Sequence, residues 1–296
     1  MKIAVHILAY NVSRFIRTAL KNTAPHVDKI YVAYPKRPWN YTESSRAAKL
    51  NPTAFSEFET LELGTKIEVL QGDWMTEESM REECFTRAKA EGFDWLLIQD
   101  ADELYEEKCW RQIRDKLERS ASTEHFTTTW YNFWKSSQYV LQHPSGEIKG
   151  TNAGFAVRCL PHLHFTEKRL TNAASTTILD IPCHHYGYVM SDSEMEEKLT
   201  TWGHSHETNP NRWFRLKWRN WRESTRYLHP VSPPVWTRAI RWPYVQPDFA
   251  EEFALDVAAP LRISVGEQLE EIAFNWQGLT DDSLRRFKRR VRLALG

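Results

Sequence analysis

A chain of 296 residues with 41% hydrophobic content is long enough for one large domain or two modest ones, each with a real core. Its 39 basic residues balance 39 acidic ones, so no global field draws it to nucleic acid or membrane, and any such attraction must come from a local patch. The four cysteines, Cys84, Cys109, Cys159 and Cys183, form no Cys-x-x-Cys pair, which argues against a zinc knuckle or a dense disulfide framework and favours a reducing, cytoplasmic home.

The opening apolar run from Ile3 to Tyr10 is too short to span a bilayer and lacks a small-residue cleavage site. It reads as a strand buried on both faces, ended by Asn11. Ser13 is placed to cap a helix through Ala24, with Phe15, Ile16, Ala19 and Leu20 on one face, and Lys29–Tyr34 follows as a second strand. The polar stretch from Pro35 to about Leu63, with Pro38, Trp39 and Pro52, is predicted to be loop or short helices. Ile67–Leu70 is a third strand leading into Gly72-Asp73-Trp74, and Thr76 begins a helix that buries Met80, Cys84, Phe85 and Ala88 and ends at Gly92. The fourth strand, Trp95–Gln99, stops on Asp100-Ala101-Asp102-Glu103. Alternating strands and helices imply a mainly parallel sheet, and ligands collect at the carboxyl ends of such strands. Asn11, Tyr34, Asp73, Asp100 and Asp102 all fall at those ends. Side chains alternate along a strand, so Asp100 and Asp102 leave on the same side, and two hard oxygen donors suit Mg2+ or Mn2+.

Beyond them, Glu106–Leu117 reads as a helix, and His125–Trp134, Gly154–Leu160 and Thr176–Ile181 as strands. His184-His185-Tyr186-Gly187-Tyr188 comes next, then a capped acidic helix from Ser191 through Leu199 and the segment Trp202–His206. From Asn209 the composition turns to arginine and tryptophan, and a basic helix over Asp281–Leu295 closes the chain.

This order of elements resembles a GT-A glycosyltransferase, most similar to family 2. The likeness is carried by Ala4–Asn11, by Gly72-Asp73-Trp74 through Arg81 and Glu82, by Asp100-Ala101-Asp102-Glu103, and by His184–Tyr188 with Lys198. It covers roughly Met1 to Glu207, which sets a catalytic domain over 1–207 and a helical basic and aromatic extension over 208–296. The resemblance implies a Rossmann-like α/β fold, a mainly parallel sheet flanked by helices, and an inverting transfer from a nucleotide-diphosphate sugar to an acceptor hydroxyl. A divalent ion would clamp the diphosphate and neutralise charge as the glycosidic bond breaks. Asp102 is then the first metal ligand, with His184 or His185 completing the site. Asp100 lies toward the ribose or shares the ion through water, and Ala9, Tyr10, Asn11 and Asp73 frame the nucleotide. Leu170-Thr171-Asn172 stands where relatives often carry an acidic pair, so the general base falls to Glu167, with Glu103 and Asp192 as rivals. Asp192 also reads as a helix cap beside Ser191, and Glu103 as support for the metal strand.

Two other functions fit the same residues: a nucleotidyltransferase on a similar sheet, and a non-catalytic nucleic-acid-binding protein. The second draws on the stretch between His204 and Val245, where eight Arg or Lys stand against Glu207 and Glu223 with Trp213, Trp218, Trp221, Trp236 and Trp242 interleaved. Guanidinium groups and indoles can pair phosphates and stack bases, which would make a hydroxymethylated base in DNA an acceptor beside a saccharide. The same rings at helical spacing also describe an ordinary core. In the last helix Leu284, Phe287, Val291 and Leu295 form one stripe, which suits docking on its own domain most often, and otherwise DNA or peripheral contact with anionic lipid.

Overall fold

The computed structural model describes residues 1–38, 50–59, 66–201, 209–257 and 263–295, so Trp39 and the segment Trp202–His206 lie outside the described residues. The chain falls into two compact units that interleave in sequence, 1–131 with 150–187 and 132–149 with 188–296.

The first unit is a twisted α/β sheet. Strands β1 (Ile3–Leu8), β2 (Lys29–Pro35), β3 (Ile67–Gly72) and β4 (Trp95–Asp100) are parallel in the order β3-β2-β1-β4. Near-continuous apolar sequence explains this: β1 and β4 are buried almost throughout, as a doubly covered parallel strand requires. Helix α1 (Ile16–Thr23) joins β1 to β2. It starts later than the Ser13 cap suggests, because Phe15 and Ile16 N–H groups first close a turn on the Val12 carbonyl. Helix α2 (Glu77–Ala90) is capped by Thr76, whose hydroxyl accepts the Ser79 N–H. It lays Met80, Cys84, Phe85 and Ala88 against Tyr31, Leu96 and Ile98 of the sheet. Each Met or Phe so buried is worth about 1.5–3 kcal/mol.

After β4 the chain turns through a two-residue strand, β5 (Glu103–Leu104), into helix α3 (Glu107–Arg119). Strand β6 (His125–Trp134) runs from the first unit into the second, where it turns at Lys135 (φ 60°) into β7 (Ser136–Gln142). Strand β8 (Lys149–Arg158) returns antiparallel beside β4. A small hairpin, β9 (Phe165–Glu167) with β10 (Leu170–Thr171), precedes β11 (Thr176–Tyr188). The expected short strand ending at Ile181 is thus thirteen residues long and carries His184 and His185 within it, paired antiparallel to β5.

His125, on β6, is 3% exposed and its Nδ1 lies 2.9 Å from Thr171 Oγ1. Burial pushes its pKa down to about 4. The unfolded chain therefore takes up a proton that the folded chain refuses, so stability falls as pH drops below about 6.5 and stops falling below about 4. The loss at pH 5 is about 2 kcal/mol from this group. Urea midpoints at pH 7.5 and pH 5 check it: the drop should shrink in His125→Gln, and an unchanged drop would remove His125 from the account.

In the second unit, Trp134 packs among Tyr188, Trp213 and Trp218, with Met195 and Leu199 of helix α4 (Asp192–Thr201) beside them. Strand β12 (Arg238–Arg241) pairs with β7. Trp213, Trp218, Trp221 and Trp236 are all buried. The cations between them are spent inside the unit: Arg215 on Glu270, Arg222 on Glu271, and Lys217 buried against Glu271 and Asn275. These four rings are core, and Trp242 is half-buried. Helix α5 spans Val265–Leu295, starting well before Asp281, because Ser264 and Glu267 form a reciprocal capping box.

Candidate active site at the carboxyl edge of the first unit

The carboxyl ends of β1 and β2 are tied together by a residue from the irregular stretch. Asn51 donates from Nδ2 to the carbonyls of Ala9 at 2.6 Å and Pro35 at 2.9 Å, and its Oδ1 accepts the Asn11 N–H at 3.2 Å. Asn11 sits at φ 53°, a left-handed conformation that asparagine tolerates better than most residues. This sharp turn ends the strand and presents Tyr10 and Asn11 at the rim. Asp73 is exposed at the end of β3, beside Trp74, whose ring lies over Gly72 so closely that a Cβ there would come within 2.4 Å of it.

The two aspartates do different things. Asp100 is engaged by two arginines: Arg81 from α2 at 3.2 Å and Arg169 at 2.6 Å. Burial opposes its ionisation, but Arg169 and Arg81 outweigh this and hold the carboxyl well below the usual carboxylate range. Arg81 is itself buried, pairs with Glu77 at 2.6 Å and lies 3.3 Å from His6 Nδ1. Glu103 is fully buried and takes both guanidinium nitrogens of Arg169, so it faces the interior. Burial drives its pKa up to about 8 despite Arg169, and the Asp100 charge adds to the rise.

Asp102 is left to the cleft. Its Oδ1 is buried with no hydrogen bond among the described residues, and His185 Nε2 lies 3.7 Å away, too far for one. The strand pairing explains why it is His185: β11 sets His185 opposite Glu103 and His184 opposite Leu104, and neighbouring side chains point oppositely. His184 is turned to Glu106, with Nε2 3.3 Å from Oε1, and that contact, against burial and with help from Lys108, brings Glu106 down to about 2. His185 packs on Trp130 with ring centroids 4.3 Å apart and planes tilted by 33°, and the Arg169 guanidinium lies over the same indole at 5.2 Å. The space at Asp102 and His185 is kept open by Gly187. A Cβ there would stand 2.7 Å from His185 Nε2 and 2.9 Å from Asp102 Oδ2.

An orphaned buried carboxylate oxygen, an imidazole nitrogen and a cradle that one methyl would fill suit a divalent ion. The mixed oxygen and nitrogen donors suit Mn2+ better than Mg2+. No cluster of three or more His, Cys, Asp or Glu ligands occurs among the described residues.

The three carboxylates weighed as general base stand on three different elements, β5, β9 and α4. Glu103 is sequestered by Arg169, and Glu167 is exposed on the β9–β10 hairpin. Asp192 belongs to the second unit, where it lies 3.7 Å from Lys135 and accepts the Trp218 indole N–H at 2.9 Å. The cap of α4 is Ser191, whose hydroxyl accepts the Glu194 N–H. Sequence reasoning passed over Arg169, Asn51 and Trp130. Only Arg169 left a signal, since a glutamate beginning a buried strand demands a cation somewhere.

No protein-family model and no curated protein matches this chain. Among solved structures it is similar to a mannose-1-phosphate geranyltransferase from Thermus thermophilus (TM-score 0.33, 13% identity, 54% of this chain and 51% of that one). It is also similar to a 4-diphosphocytidyl-2C-methyl-D-erythritol synthase from Anaerococcus prevotii (TM-score 0.36, 12% identity, 64% and 91%). A third is a glucose-1-phosphate thymidylyltransferase from Bacillus anthracis, described as putative (TM-score 0.35, 8% identity, 53% and 72%). The chain spans about half the length of the first. Likenesses at these TM-scores carry no argument about chemistry.

Proposed function

We propose that the first unit binds a nucleotide-activated sugar at the carboxyl edge of β1 and β4 and transfers the sugar to an acceptor hydroxyl, with Asp102 and His185 holding a divalent ion. The observation that carries this is the open cradle at Gly187, with the unbonded Asp102 oxygen and His185 Nε2 beside it. Bound there, the ion supplies positive charge to the leaving diphosphate. The chain's own residues do the rest. Ala9, Tyr10 and Asn11 form the rim for the nucleotide, and Asp73 stands at the end of β3, on the far side of β2. Arg81 and Arg169 fix Asp100 so that the turn carrying Asp102 keeps its aim. Glu167 is exposed with no ion pair among the described residues, which leaves it able to accept a proton from an acceptor. With the tryptophans of the second unit in its core, a saccharide hydroxyl is the first acceptor to try, ahead of a hydroxymethylated base.

Nucleotidyl transfer is the second reading, since a divalent ion at Asp102 could equally serve the phosphates of a nucleoside triphosphate, and products separate the two. Sugar nucleotides screened by thermal shift with Mn2+ should give one donor that raises the melting temperature by mass action. Incubated with saccharide acceptors, that donor should yield a nucleoside diphosphate. Release of pyrophosphate from a nucleoside triphosphate and a sugar phosphate would instead establish nucleotidyl transfer. No stabilisation by any donor or triphosphate would dismiss both.

A further inference from the structure

Helix α5 is mounted the opposite way round from an ordinary surface helix. Val265, Leu269, Ile272, Trp276, Leu284 and Phe287 are between 52% and 72% exposed. Spacings of four, three and four residues, continued at Leu284 and Phe287, put them on one side of the helix. The side turned to its own unit is mostly polar. Glu271 meets Lys217 at 3.0 Å and Arg222 at 2.9 Å, Asn275 accepts from Lys217 at 2.6 Å, and Gly278 lies under Pro233. Arg285 donates to the Val231 carbonyl at 2.5 Å, and Phe274 packs partly against the core. A helix tethered by ions and displaying its large apolar residues to water leaves that stripe for something outside the unit.

The charge along the helix says what. Ser283–Leu295 contains six Arg or Lys and no acid. A second copy of the helix, laid parallel, would set these cations against one another. Laid antiparallel, it would need acids from the first half, but Glu270 is spent on Arg215 and Arg212, Glu271 on Lys217 and Arg222, and Glu267 on the cap. A nucleic acid would satisfy the cations but not the exposed leucine, isoleucine and tryptophan. No helix among the described residues is long and apolar enough to cross a membrane. We infer that α5 is an interfacial helix that lies on an anionic lipid surface, its stripe sunk at the acyl boundary and its cationic end against the headgroups.

Flotation of the full chain with phosphatidylcholine vesicles, with and without phosphatidylglycerol, tests this. Binding should require phosphatidylglycerol and weaken as salt is raised, because surface charge is screened. Trp276→Ser with Phe287→Ser should lower the partition coefficient about tenfold or more. Both side chains are exposed, so the urea midpoint should not move. Leu269→Ser with Ile272→Ser is the second variant, should the first fold poorly. Three results would overturn the inference: no flotation with anionic vesicles, a concentration-dependent dimer abolished by the same substitutions, or duplex DNA competing the chain off the vesicles while the serine variants bind lipid unchanged.

Discussion

Replacing Asp102 with alanine is expected to cost about a thousandfold in transfer rate, the scale of several kcal/mol of charge stabilisation at a departing diphosphate, with the fold intact. The two consequences separate because Asp102 carries no structural load. Its Oδ1 makes no hydrogen bond among the described residues, and His185 Nε2 lies 3.7 Å from it. Removing it also relieves Glu103 of a nearby negative charge, so the unfolding free energy should stay within about 0.5 kcal/mol of the parent or rise. Gly187→Ala provides the control that deletes no ligand. Its methyl would stand within 3 Å of both Asp102 and His185 and should abolish Mn2+ binding, read by manganese electron paramagnetic resonance, as fully as the loss of Asp102. Wild-type Mn2+ affinity in either variant, or full activity of Asp102→Ala in chelator, would rule out this centre.

Arg169→Met is expected to destabilise the protein by about 3–5 kcal/mol, the usual cost of stranding a buried charge. One guanidinium serves two carboxylates: Asp100 at 2.6 Å and, through both nitrogens, Glu103. Without it Asp100 keeps Arg81, but Glu103 is left fully buried with no cation. Measured at pH 9, above the Glu103 pKa of about 8, the double variant Arg169→Met, Glu103→Gln should therefore recover a large part of the loss, since the amide has no charge to strand. Glu103→Gln alone should be mild, because Arg169 retains Asp100. A double-mutant cycle by urea denaturation measures this coupling. If the two losses add, Arg169 acts through packing on Trp130 and not through its charge. The same substitution should loosen His185, since Arg169 and His185 both stack on Trp130.

Much of the first unit could be read from local pattern. Continuous apolar runs marked β1, β2 and β4, and Thr76 followed by a spaced apolar set marked α2, because burial on both faces and helical periodicity leave direct traces in composition. Patterns of the second unit were harder to read. β7 and β12 went unseen, since their partners are each other and the end of β6, remote in sequence. Tryptophans interleaved with arginines described a core better than a nucleic-acid groove, and packing with Trp134 and Tyr188 places Trp213, Trp218, Trp221 and Trp236 in the core. Exposure of Leu284 and Phe287 was equally invisible, because a stripe shows that a helix has two sides and not which one its domain takes.

Sequence alone determined that a buried central strand runs out at the aspartate pair, and it pointed to one of two adjacent histidines as their partner. The first follows from the apolar run that stops at Asp100, with Asp102 in the turn just beyond it, and the second from the alternation of side chains along a strand. Which aspartate meets which histidine was decided by tertiary structure. The register of β11 on β5 turns His185 toward Asp102 and His184 toward Glu106, while Arg169, 69 positions after Asp100 in the chain, claims Asp100 and Glu103 for the interior. A buried carboxylate is claimed by whichever cation the fold brings to it, and that choice is made by contacts too distant in sequence for any local pattern to record.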